Sequence, residues 1–344
     1  MFTKKFLATL VVIFCTYYLP VLSQKFDGEV LLSEVIKSAK ERSLYASEVN
    51  WDSLQTSLIK QYGSSTNMEQ LKPALSEILN ALRDHHGSFF QNNQRIAVFT
   101  NNENTRKTDR RSYDSEIWQQ VNYDSSHEFK MLDDTTGYIK LVGIGPVDII
   151  AEAKKLREKF EKLAVQGATQ WVLDLRYNGG GNMYPMLQSL TPLLGDGPIG
   201  CDSNLKGEKS FEREVKDGDF YYGEYLAIDL PESKTKQSNA KVVVLLSRYT
   251  VSSGEIVATS FKGRANTCFV GEATGGYTTV TNFEPINEDL TMSISVAYYT
   301  DRNGKIYTEN VTPDIEVPFK IEKEVSKDEG VQKAMELLKN NLKY

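Results

Sequence analysis

The chain has 344 residues, a formal net charge of −6, three histidines and three cysteines. An acidic chain is poorly suited to a phosphate backbone, and neither a zinc-ligand spacing nor a G-x-x-x-x-G-K-[ST] loop occurs. No nucleic-acid or nucleotide partner, metal or organic cofactor is therefore expected.

Residues 1–23 carry Lys4 and Lys5 ahead of a short apolar run, with Val21 and Ser23 supplying small residues for a signal peptidase. The segment reads as a secretory signal cut near Ser23–Gln24, with an uncleaved anchor as the alternative. Its loss leaves 321 residues and moves the charge from −6 to −8, because two lysines and no acid depart. The mature chain would then be exported, to a periplasm, a cell surface or the medium. Cys201 and Cys268 remain, and pairing between them is left open.

Residues 24–90 show helical spacing in VLLSEVIKSAKERSLYA and MEQLKPALSEILNALRDHH, which predicts a small helical domain. The polar stretch 91–133 reads as a linker or insertion. From Thr136 onward apolar strands and amphipathic helices alternate. GYIKLVGI, QWVLDLRY, AKVVVLLS and TCFVGEA read as strands, and DIIAEAKKLREKFEKLAVQG, MYPMLQSLTPLL and GEIVATSFKG as helices. This texture predicts an α/β core over 134–320 with a largely buried sheet. A polar excursion covers 203–240, Asn303-Gly304 signals a hairpin, and 321–344 ends in an amphipathic helix.

Two loops carry chemistry. In Asp174-Leu-Arg-Tyr-Asn-Gly-Gly-Gly-Asn182, three glycines after a buried strand let successive N–H groups converge on an anion. In TVSSGEIVATSF, Ser252 and Ser253 stand where a strand runs into a helix. That position suits an N-cap and equally suits an exposed nucleophile beside a helix N-terminus. Asp174 and Arg176 are read as fixing the glycine loop, Glu255 as an acid of the helix's first turn, and His127 as a surface residue.

DLRYNGGGN, SRYTVSSGEIVATSF, FVGEATGG and ENVTPDIEV, with the earlier LRDHHGS, together resemble the tail-specific or C-terminal processing serine proteases. The resemblance implies a crotonase/ClpP-like core of ββα units, a peptide or protein substrate, and Ser252 as nucleophile. It implies an oxyanion hole from Gly180 or Gly181 with the N–H of Ser253. Many members place a lysine base after V-G-E-x-T; here Tyr277 holds that place, and no lysine lies between Lys262 and Lys305. The lysine-lacking branch resembling the catalytic core of tricorn protease implies His86 as base, with Glu309 orienting it; that branch has a serine where His85 stands here. Residues 91–133 are too few for the PDZ domain of many members. The retinoid-binding repeats of the interphotoreceptor protein share this fold, so a non-catalytic binding protein for apolar ligands or peptides is the alternative. Oligomerisation is left open.

Overall fold

The computed structural model describes residues 26–100, 117, 119–121 and 126–342. The signal segment 1–23 and much of the polar stretch after residue 100 lie outside the described residues.

Helices α1 (Gly28–Arg42), α2 (Trp51–Tyr62) and α3 (Met68–Leu82) follow the spacing of their apolar residues. Asp27, Asn50 and Asn67 cap them, each accepting from the N–H three residues on. α3 stops where Arg83 turns left-handed at φ 56° and Asp84 N–H bonds back to Leu79 O.

The next residues are not the expected linker. β1 (Ser88–Gln91) and β2 (Gln94–Val98) form a hairpin around Asn92 and Asn93, both at positive φ. β1 then pairs antiparallel with β13 (Leu290–Thr300), setting Ser88 opposite Ser293. The three helices share one core with Leu290, Met292, Ile294 and Tyr298 of that strand, which ties the start of the chain to its late part.

Six strands form the second sheet: β3 (Glu128–Met131), β4 (Thr136–Lys140), β5 (Gln170–Asp174), β10 (Lys241–Leu246), β11 (Thr267–Gly271) and β15 (Ile315–Glu316). Their order is β15-β11-β10-β5-β4-β3, parallel throughout except for β3 on β4. α4 (Ile149–Val165), α5 (Met183–Leu194) and α6 (Ser253–Phe261) supply the crossovers and pack with Phe160, Trp171, Leu187 and Val244. α7 (Glu329–Lys339) covers the other face through Val331 and Leu337 against Val243 and Leu245. Both faces are buried, which is why QWVLD and KVVVLL read as continuous apolar runs.

The polar excursion is also structured. β6 (Gly197–Ser203), β7 (Lys209–Lys216), β8 (Asp219–Tyr222) and β9 (Tyr225–Leu226) form an antiparallel arm joined to β13. β12 (Thr279–Pro285) and β14 (Ile306–Tyr307) also pair with β13, the latter across the expected Asn303-Gly304 turn. Cys201 in β6 and Cys268 in β11 are buried free thiols on different sheets.

Candidate active site

The two chemical loops leave neighbouring parallel strands at the same sheet edge. Leu175–Asn182 follows β5, and Ser247–Ser252 follows β10. They are stitched together by Ser247 Oγ donating to Arg176 O (2.7 Å), Thr250 Oγ1 to Leu175 O (2.7 Å) and Val251 N–H to Asn178 O (3.0 Å). Asp174 and Arg176 hold the base of the glycine loop, as expected. The guanidinium donates to both Asp174 oxygens (2.9 and 2.7 Å) and to Asp328 Oδ1 (2.8 Å), with Tyr138 OH on Asp174 Oδ2. These carboxylates hold the Arg176 pKa well above its ordinary value despite burial. Asp328 also caps α7 by accepting from Val331 N–H.

Ser252 occupies φ 54°, ψ −120°, a region that costs a non-glycine residue about 1–3 kcal/mol and so needs support from its surroundings. Glu255 supplies part of that support. It is an acid of the helix's first turn, as read, and fully buried there, accepting from Ser252 N–H (3.0 Å), Thr274 Oγ1 and Gly276 N–H (2.9 Å). Burial raises its pKa to about 7 against those hydrogen bonds.

The loop between α3 and β1 brings His86 to the serine, with Nε2 3.1 Å from Ser252 Oγ across 166 residues of sequence. Burial, assisted by His85, pulls its pKa down to about 3, so the imidazole is neutral at ordinary pH and able to accept a proton. Nδ1 lies 2.9 Å from Thr279 Oγ1. Glu309 is not brought to His86: it is exposed, and its expected place beside Nδ1 is held by Thr279. Tyr277, in the position of the lysine, sets its ring edge-on against both His85 and His86 at centroid distances of 5.1 and 5.2 Å. Tyr299, almost fully buried, lines the same cleft as Ser252, and burial keeps its phenol protonated. Neither Thr279 nor Tyr299 stood out in the sequence, since both are strand residues made local only by the pairing of β12 with β13.

The anion site is narrower than the glycine run suggests. Gly180 N–H donates to Asn178 Oδ1 (3.0 Å), which removes it as an oxyanion donor. Among the described residues, the N–H groups of Gly181 and Ser253 have no protein acceptor, and Gly181 sits at φ 100° against Ile144. Ser253 Oγ donates instead to Gly181 O (2.6 Å), locking the two donors to one another. His127 is not a surface residue but is partly buried. Its Nδ1 accepts from Val142 N–H (3.1 Å), and burial lowers its pKa to about 4.

Ser252 opens into a cleft of about 920 Å³. Ile256, Val280, Ala297 and Tyr299 lie on its walls, with the exposed Phe211 and Phe283 along it. The buried Arg213–Asp202 ion pair also lines it.

Residues 135–317, just over half of the chain, match the family model Peptidase family S41. The chain belongs to this family. Among relatives, it is 33% identical over 146 residues to the nisin-resistance protein of Lactococcus lactis subsp. lactis, covering 42% of this chain and 45% of that one. It is 27% identical over 190 residues to the carboxy-terminal processing protease CtpA of Bacillus subtilis (strain 168), covering 54% and 36%. The matches thus span less than half the length of these two relatives. A lipoprotein structure from Streptococcus agalactiae superposes with a TM-score of 0.70 at 18% identity, over 94% of this chain and 99% of that one. The fold shared with that structure therefore extends beyond residues 135–317 and includes the helical segment.

Proposed function

We propose that the chain is an exported serine peptidase that cleaves peptide bonds through an acyl-enzyme. Ser252 attacks the scissile carbonyl while its proton passes to Nε2 of His86, which later returns it to the leaving amine. The N–H groups of Gly181 and Ser253 face the oxygen on which negative charge develops, assisted by the N-terminus of α6. The observation that carries this reading is the 3.1 Å approach of His86 Nε2 to Ser252 Oγ, supported by membership of a peptidase family. Export rests on the signal-like residues 1–23.

The cleft's largely apolar walls, on which Arg213 and Asp202 are paired with each other, suit a peptide with apolar side chains. The names of the relatives suggest two substrates to try: nisin, and polypeptides processed at their C-termini. The full-length chain should react with a fluorophosphonate, and labelling should vanish in Ser252→Ala and fall sharply in His86→Ala. A wild-type chain that neither labels nor cleaves any such peptide would refute the reading and favour a binding protein.

A further inference from the structure

His86 can take the serine proton on Nε2 only if Nδ1 carries the ring hydrogen. Among the described residues, no carboxylate bonds Nδ1. A chain of buried hydroxyls leads from it instead. Nδ1 lies 2.9 Å from Thr279 Oγ1, which lies 2.9 Å from Ser295 Oγ, which donates to Asp84 Oδ1 at 2.8 Å. Thr279, Ser295 and Asp84 are 4%, 0% and 1% exposed, so water does not compete for these bonds.

The direction of every hydrogen in the chain follows from its acidic end. An ionised carboxylate only accepts. Ser295 therefore spends its hydrogen on Asp84 and offers Thr279 a lone pair. Thr279 spends its own hydrogen on Ser295 and offers Nδ1 a lone pair, so Nδ1 must donate. The same carboxylate shapes the loop that carries His86. Its Oδ1 accepts from the N–H groups of His86 (3.2 Å) and Gly87 (3.0 Å), and its Oδ2 from Ser295 N–H (2.8 Å).

We propose that Thr279, Ser295 and Asp84 are positioning residues that fix the His86 tautomer through two hydroxyls, in place of a directly bonded acid. This rests on the peptidase reading of Ser252 and His86. In the step they support, the Ser252 O–H bond breaks, Nε2–H forms, and Oγ bonds the carbonyl carbon. The hydrogen on Nδ1 does not transfer. The positive imidazolium that results is stabilised by the aligned O–H dipoles and the charge of Asp84 behind them.

The test has two independent readouts on the full-length chain. Long-range ¹H–¹⁵N NMR reads the tautomer whether or not the protein is an active peptidase, and the wild type should show Nδ1–H. Thr279→Val removes the hydroxyl at little change in shape and should slow fluorophosphonate labelling about 10–100-fold, the usual range for losing a partner that orients a reactive group. Thr279→Ser should restore labelling to within about threefold, and Ser295→Ala added to Thr279→Val should cost little more, because both hydroxyls act only through one chain. An Nε2–H tautomer in the wild type overturns the proposal. So does a folded Thr279→Val that labels at the wild-type rate, or a strictly additive double variant. A wild type that shows Nδ1–H but never labels would sink the peptidase reading and leave the hydroxyl relay standing.

Discussion

Gly254 lies in the first turn of α6, directly over the glycine loop. A Cβ built on it would meet Asn178 O at 2.8 Å and Asn178 Oδ1 at 2.9 Å, where ordinary contact begins near 3.4 Å. Gly254→Ala therefore demands a displacement of about 0.6 Å between helix and loop. Neither oxygen can yield freely, since one accepts from Val251 N–H and the other from Gly180 N–H. Over-packing of this kind costs about 1–3 kcal/mol, while alanine in place of a helical glycine returns up to about 1 kcal/mol. The net loss of stability should be about 0–3 kcal/mol. Reactivity should suffer more. The displaced loop carries one oxyanion donor and the helix the other, and misplacement approaching 1 Å at a reacting centre costs up to about 100-fold. Urea unfolding alongside fluorophosphonate labelling separates the two effects. A variant that labels within twofold of the wild type, at unchanged stability, would refute the claim that helix and loop are held in contact by the missing side chain.

Stability should fall with acid below pH 6.5. The histidines at positions 86 and 127 have folded pKa values lowered to about 3 and about 4, so the unfolded chain takes up two protons that the native one refuses. Glu255 works in the opposite sense: its pKa is raised to about 7, so the native state holds one proton between pH 4.5 and 7 that the unfolded state releases. The difference of about one proton gives a slope near 1.4 kcal/mol per pH unit between pH 4.5 and 6.5, and Glu255→Gln should roughly double it in a urea-unfolding series. The acid limb of labelling should lie well below pH 6.5, because the His86 imidazole stays neutral there; a midpoint near 6.5 would contradict its desolvation. Arg176→Ala strands the Asp174 and Asp328 carboxylates and should cost about 3–5 kcal/mol by urea melt, and a loss under 1 kcal/mol would show that the ion cluster is dispensable.

The sheet around β5 and β10 was legible because burial on both faces writes itself as unbroken apolar runs. The arm of β6 to β9 was not. A strand such as KSFEREVK exposes most of its residues, and its composition is that of a loop. The hairpin of β1 and β2 was hidden for a related reason, its strands being short and its turn Asn-Asn rather than Asn-Gly. At the site, Ser252 and His86 follow from motif order. What faces the far nitrogen of the imidazole does not, because it depends on which strand comes to lie beside the helical segment. Glu309, placed by analogy with its distance from Pro313, points to solvent, while Thr279 and Ser295 reach the ring through the pairing of β12 with β13.

The bond from Arg176 to Asp328 has a practical corollary. The segment shared with the family ends at residue 317, yet the carboxylate that completes the grip on the glycine loop comes eleven residues later, at the head of the terminal helix. A version trimmed to the shared segment would keep Ser252 and the five parallel strands of its sheet, but not β3, His86 or the strut beneath the anion site. The smallest unit worth expressing thus reaches from the first helix to the last.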